Sequence, residues 1–322
     1  MKFDRTFRSL FVSSWRSIVC SLAGMVLTVA LPIPASAQAS TAVTLDVPGA
    51  AFTVARDINN NGDIVGVFFS GRRHGFLLSN GTYTPIDAPA AWGTRQTLAL
   101  GINDAGVIVG SYFHLDSDGQ VHQHGYVLAN GSFSPLADVP GSTDTIPWGI
   151  NNSNVIVGRY LDQAGNLHGF ESVKNTATTV DFPNGTGTAL YHINNNGDIV
   201  GDYSDSVGNV HGLVRSASGS FSSFDVPGAT VQPAGTNGFA INDLGQVGGA
   251  SAKSKSAALD FTEPQADTHG YVMTAGKFVT VNVPGGINTA VYGLNNSSQA
   301  VGQYNTPGGG LHGYAMQLIA GQ

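Results

Sequence analysis

The chain has 322 residues, of which 42% are hydrophobic and 11% charged, and it carries a net charge of −7. So much apolar material excludes a disordered chain, and the acidic balance excludes a surface built to grip polyanions, so neither nucleic acid nor anionic lipid is an expected partner. The single cysteine, Cys20, leaves no scope for a disulfide framework.

The first stretch reads as separate from the core. Lys2, Arg5, Arg8 and Arg16 precede an apolar run from Ile18 to Leu31, which ends in Pro32, Pro34 and the small-residue site Ala35-Ser36-Ala37. That is the layout of a secretory signal peptide, with cleavage expected before Gln38. A retained anchor helix is the competing reading, but Ser21 and Gly24 interrupt the run, which falls short of the ~20 residues a span needs. Val19 is bulky where a lipoprotein leader wants a small residue, which argues against lipidation of Cys20. Without residues 1–37 the chain keeps ten basic and twenty acidic residues and has neither a thiolate nucleophile nor a membrane span. A secreted or periplasmic protein is expected.

Next comes Val43-Thr44-Leu45-Asp46-Val47-Pro48-Gly49, a strand running into a proline stop. After it stands Ile58-Asn59-Asn60-Asn61-Gly62-Asp63-Ile64-Val65-Gly66, followed by His74-Gly75-Phe76. The pair returns at Ile102 to Gly110 with His124-Gly125-Tyr126, at Ile150 to Gly158 with His168-Gly169-Phe170, and at Ile193 to Gly201 with His211-Gly212-Leu213. Two further copies are Ile241 to Gly249 with His269-Gly270-Tyr271, and Leu294 to Gly302 with His312-Gly313-Tyr314. Intervals of 44, 48, 43, 48 and 53 residues, built of short alternating strands without amphipathic helices, are those of propeller blades.

Each unit reads as four strands, in the first one Thr53 to Ile58, Ile64 to Phe68, His74 to Leu78 and Tyr83 to Asp87. The fifth motif position is Gly62, Gly106, Asn154, Gly197, Gly245 and Ser298, where a tight hairpin requires a positive φ. Ser298 fits worst, so strain or a different turn is expected there. Units close on Asp87-Ala88-Pro89, Asp138-Val139-Pro140, Asp181-Phe182-Pro183, Asp225-Val226-Pro227 and Asn282-Val283-Pro284, since proline ends an outer strand. A threonine stands five residues before each motif Ile or Leu (Thr53, Thr97, Thr145, Thr188, Thr236, Thr289), which points to a repeated backbone contact. After Tyr314 no fourth strand follows, and residues 43–47 supply it. The expected fold is all-β: one six-bladed β-propeller over residues 38–322, four antiparallel strands per blade, its ring closed by the N-terminal strand of the mature chain.

The Ile-Asn-x-x-Gly-x-Ile-Val-Gly phrase followed by His-Gly-Phe or His-Gly-Tyr resembles the HAF repeat of bacterial extracellular repeat proteins, and the resemblance covers essentially all of the mature chain. Family members typically have Ala where this chain has Gly75, Gly125, Gly169, Gly212, Gly270 and Gly313. The resemblance implies a secreted, propeller-like protein and carries over no catalytic residue.

His74, His124, His168, His211, His269 and His312 repeat on third strands, too far apart around a ring to share a metal, and read as structural. Asp57-x-Asn59-x-Asn61-Gly62 has the opening rhythm of a calcium loop, but its twelfth position is Phe68 and the other copies have Gly101, Gly149, His192, Ala240 and Gly293 where Asp57 stands. An Asx turn is the plainer reading. No metal, cofactor or catalytic set is expected.

The face carrying the second-to-third-strand loops and the crossovers varies most, and loops on a rigid scaffold are where binding groups belong. Its candidates are Trp92 and Arg95 on the crossover Ala90 to Gln96, His114, Asp116, Asp118 and His122 on the loop Phe113 to Gln123, and, on other loops, Asp144 and Asp260, the latter within the long loop Ala252 to Thr268. A second crossover, Ala229 to Gly235, shares that face. Two positions before the motif Ile or Leu stand Arg56, Leu100, Trp148, Tyr191, Phe239 and Tyr292, which either pack between blades or rim a channel mouth suited to stacking on sugars. The favoured function is a non-catalytic, monomeric binding module for a glycan, peptide or protein on a surface. The alternative is a hydrolase or lyase acting on polysaccharide, against which stands the presence of only two glutamates, Glu171 and Glu263.

Overall fold

The computed structural model describes residues 41–229, 235–252 and 268–318. The segment expected to be a signal peptide and the loop residues Lys253, Lys255, Asp260, Glu263 and Asp267 lie outside the described residues. Six four-stranded antiparallel sheets form the blades of a propeller, each taken in chain order from the axis outward except the last. The first blade consists of Phe52–Ile58, Ile64–Phe69, Arg73–Ser79 and Thr82–Ile86. The sixth is Ile287–Leu294, Gln299–Asn305 and Leu311–Gln317, completed by Ala42–Leu45. That borrowed strand pairs Ala42 with Met316 and Leu45 with Gly313, so the ring closes as its repeats require.

The motif glycine is explained by a defect in the inner strand. In every blade the first strand carries a β-bulge two residues before the motif Ile or Leu, for instance between Ala55 and Asp57. The extra residue bends the strand and brings a carbonyl over its partner. A Cβ on Gly66 would lie 2.1 Å from the Val54 carbonyl oxygen, and one on Gly302 would lie 1.9 Å from that of Ala290. No side chain fits there. Where the third strand offers a tyrosine, its hydroxyl donates to that carbonyl, as Tyr126 does to Leu98 at 3.0 Å and Tyr271 to Asn237 at 2.9 Å.

The hairpin turn is the same in all six blades, including the sixth. Ser298 takes φ 57° and donates its N–H to the Asn295 carbonyl, as Gly62 does to Asn59. The turn is therefore conserved in shape at a cost of about 1–2 kcal/mol for a non-glycine residue in the left-handed region. Leu318 and Gln317 hold the Ser298 carbonyl from the other side.

Blades join through the threonines and through the core. Each threonine hydroxyl accepts the N–H of the residue after the closing Asp or Asn: Thr53 from Val47, Thr97 from Ala88, Thr145 from Val139, Thr188 from Phe182, Thr236 from Val226 and Thr289 from Val283, at 2.9–3.2 Å. Each crossover is thereby pinned to the next inner strand. Between blades, fully buried rings such as Phe76, Phe170 and Tyr314 fill the space, each worth about 1.5–3 kcal/mol on burial.

Candidate functional site

The axis is sealed by three layers that the bulges build. The bulged residues Arg56, Leu100, Trp148, Tyr191, Phe239 and Tyr292 point inward and line a cavity of only about 10 Å³. Trp148 meets Tyr191 at 5.2 Å between centroids, Tyr191 meets Phe239 at 5.1 Å, and Phe239 meets Tyr292 at 5.0 Å. The Arg56 guanidinium closes the belt, 4.5 Å from the Tyr292 ring centre and 5.6 Å from that of Trp148. All are at most 8% exposed, so they form a plug and offer no platform for a sugar.

Above the plug one pair crosses the channel. Asp57, on the first blade, and His192, on the opposite one, meet at 3.2 Å through Oδ1 and Nε2. Asp57 also accepts the N–H groups of Ile58 and Ile102, and His192 Nδ1 donates to the Ile241 carbonyl. Both ring nitrogens thus face acceptors, which requires the imidazolium form. Burial lowers the His192 pKa, but the Asp57 charge and hydrogen bond outweigh it, and the net shift is upward. The other positions at this level are Gly101, Gly149, Ala240 and Gly293, and a Cβ on Gly149 would lie 2.8 Å from the His192 Cα. Asp57 is therefore a buried strut and belongs to no cation loop.

Asparagine rings form the outermost layer. The motif Asn side chain donates to the carbonyl of the equivalent Asn on the next blade, from Asn59 to Asn103, Asn151, Asn194, Asn242, Asn295 and back to Asn59, at 3.1–3.3 Å. One residue later a second circuit runs from the N–H of each residue to the side-chain oxygen of the next, through Asn60, Asp104, Asn152, Asn195, Asp243 and Asn296. Burial pushes the Asp104 and Asp243 carboxyls up, but the amides around them hold both below the usual carboxylate range. These rings surround a cavity of about 40 Å³.

The repeated histidines each take the residue that closes their own blade. His74 Nδ1 donates to Asp87 at 2.8 Å, His124 to Asp138 at 2.9 Å, His168 to Asp181 at 2.8 Å, His211 to Asp225 at 3.0 Å, His312 to Asp46 at 2.9 Å, and His269 to Asn282 at 3.3 Å. On the other side, Phe68, Tyr160 and Tyr203 stack on their rings at 5.0–5.1 Å, and Tyr112 and Tyr304 lie tilted over theirs at 5.6 and 5.4 Å. Nothing within a single motif links each histidine to the Asp or Asn that closes its blade. Their separation of 13 or 14 residues in five successive units was the available signal.

On the variable face, the second-blade hairpin Ile108–Leu115 and Val121–Ala129 gathers five of the candidates and adds two residues. His122 donates Nε2 to Asp118 at 2.9 Å and Nδ1 to Asp144, on the third blade, at 3.2 Å. His124 donates Nε2 to Asp116 at 3.1 Å and Nδ1 to Asp138. The Asp138 hydrogen bond is the main cause that raises His124 to about 9, against the lowering effect of burial. The Asp118 and Asp144 bonds raise His122 as well. His114 Nε2 lies 3.6 Å from Asp116. Arg95 is exposed beside this cluster, while Trp92 is half-buried against Tyr112 at 5.2 Å and Phe133 at 6.2 Å. A histidine whose two N–H groups rest on carboxylates has no lone pair for a metal or for a substrate proton. The array presents carboxylate oxygens, fixed in place by the histidines, as acceptors instead.

Comparison with models of known families finds no match, and no curated protein matches the sequence. Solved structures match by fold. A mutant of the Aleuria aurantia lectin in complex with alpha-methyl-L-fucoside aligns with a TM-score of 0.50 at 10% identity, over 87% of this chain and 95% of the lectin. Trypanosoma rangeli sialidase aligns at 0.49 and 11% identity, over 87% of this chain and 58% of the sialidase. TolB from Acinetobacter baumannii aligns at 0.48 and 12%, over 74% of this chain and 53% of TolB. The chain thus spans little more than half the length of TolB or the sialidase, and at such identities the likeness to the lectin speaks for the propeller fold alone. Among the described residues no helix is long and apolar enough to cross a membrane.

Proposed function

We propose that the protein is a secreted, non-catalytic binding module of the HAF-repeat type, which holds a glycan, peptide or surface partner on the loop face of its second and third blades. The observation that carries this reading is the pairing of His122 and His124, each with two carboxylates. Imidazolium rings held this way are withheld from general-base work and fix the carboxylates, whose remaining oxygen lone pairs accept hydrogen bonds from a ligand. Asp118, with 55% of its side chain exposed, and the exposed Arg95 supply the accessible charges of the same surface.

The test is a glycan and peptide array on the purified protein, run beside a screen for released reducing sugars and peptide fragments. Binding without turnover is the expected result, with Arg95→Ala and Asp118→Asn each weakening it about 3- to 10-fold, the worth of one charge-assisted contact. Steady product release that His122→Ala abolishes would establish the polysaccharide hydrolase or lyase reading instead.

A further inference from the structure

Propeller blades splay outward, so the wedge between neighbouring blades must be filled by bulky side chains or left open. In three blades of this protein the wedge has two aromatic walls. One wall is the second-strand ring opposite the repeated histidine: Phe68 opposite His74, Tyr112 opposite His124, Tyr203 opposite His211. The other is a fourth-strand ring: Tyr83 opposite Leu78, Phe133 opposite Leu128, Phe221 opposite Arg215. The remaining blades lack one wall, having Ala177, Ser251 or Ala42 at an equivalent place.

Two of the three walled wedges are occupied by the chain itself. Between the first and second blades, Trp92 packs against Tyr112 and Phe133. Between the third and fourth, Phe182 stacks on Tyr203 at 3.7 Å with 7° between planes and meets Phe221 edge-on at 5.5 Å. The third walled wedge lies at the ring seam, between the sixth and first blades. There Val47 stands where the fourth blade has Phe182, and the crossover continues Pro48-Gly49-Ala50-Ala51 where the second blade has Pro89-Ala90-Ala91-Trp92. The result is an open cavity of about 400 Å³ lined by Val47, Pro48, Phe68, Phe76, Tyr83 and Pro85.

We infer that this seam cavity is a binding site for an aromatic side chain of a partner polypeptide, flanked by a basic residue. The occupant's chemistry is taken from the indole and phenyl rings that this chain seats between the same two walls elsewhere. Its charge follows from the rim, where the Asp46 carboxylate is 45% exposed beyond its bond to His312 and acts on the Tyr83 hydroxyl, on a chain of net charge −7. Offset and edge-on contacts with both walls add to the apolar area such a ring buries. This site is separate from the loop-face surface and stands whether or not that surface binds.

The experiment is calorimetric titration of the purified protein with acetyl-Lys-Trp-Lys-amide, its Leu analogue and methyl glycosides. Saturable 1:1 binding of the Trp peptide is expected, at least roughly tenfold tighter than the Leu analogue and not displaced by glycosides. Val47→Phe places a ring in the seam as Phe182 does in its own wedge. It should abolish binding while raising Tm, a pairing that misfolding would not produce. Phe182→Val should open the equivalent wedge and raise the stoichiometry towards two, and Tyr83→Ser should weaken binding roughly tenfold without loss of fold. Unchanged binding by Val47→Phe and Tyr83→Ser, equal affinity for the Leu analogue, or displacement by glycosides would overturn the assignment.

Discussion

The turn face and the loop face of this propeller use the same backbone to opposite ends. On the turn face, Asn59, Asn103, Asn151, Asn194, Asn242 and Asn295 bond in a circle, each both to its own turn and to the next blade. An element that must match its neighbours on both sides around a ring is held to one residue type. On the loop face, His122 reaches Asp118 in its own loop and Asp144 on the next blade, a pairing with no equivalent among the described residues. Repetition marks what closes the ring, and departure from the repeat marks what the ring is free to vary. Asp57 and His192 are the instructive exception, since they break the repeat inside the ring and still serve closure.

Removing that exception has the largest effect. Asp57→Ala takes from His192 the carboxylate that keeps it charged and from the Ile58 and Ile102 N–H groups their acceptor, which should cost about 3–5 kcal/mol in urea unfolding. The double variant Asp57→Ala/His192→Ala should cost clearly less than the sum of the single changes. Additive effects would mean that the two residues do not act as a pair across the axis.

The contrast between faces is sharpened by Asn103→Ala. That change removes a donor to Asn151 and an acceptor for the Ala105 and Val107 N–H groups, an expected loss of about 2–3 kcal/mol, whereas Asp118→Asn on the loop face should stay within about 0.5 kcal/mol. Equal losses at the two sites would erase the distinction.

The smallest effect is electrostatic. His124 is raised to about 9 in the folded protein, so its contribution is fully present below the unfolded value near 6.5 and is lost as pH rises through about 9. His122, His168 and His192 shift in the same direction. Tm should therefore fall between pH 6.5 and 9, and His124→Gln should reduce that slope by about one proton per molecule. A variant whose Tm profile keeps the full slope would show that Asp138 and Asp116 do not hold the ring charged.

Much of the fold was legible because its signals are local. The Asn-x-x-Gly turns, the proline stops and the alternating strands act over four to eight residues, and six repetitions of them specify strand order, blade number and the borrowed Ala42–Leu45 strand. The threonine contact was legible too, as six residues in register. The bulges were not, although the motif glycines are their trace: a bulge is recognised by pairing, and pairing requires two strands. Consequently Arg56, Trp148, Tyr191, Phe239 and Tyr292 could be placed near the axis, but not told apart as a buried plug from an open rim.

The sequence by itself determined a closed ring of six sheets, because period, turn chemistry and patterning are properties of neighbouring residues. Only the tertiary structure decided which side chains meet: Asp57 with His192 across 135 residues, His122 with Asp144 across blades, and Trp92 and Phe182 in two wedges whose counterpart at the seam Val47 leaves open. Such meetings depend on the radius of the ring and on the volumes around it, and those quantities exist only once all six blades have closed.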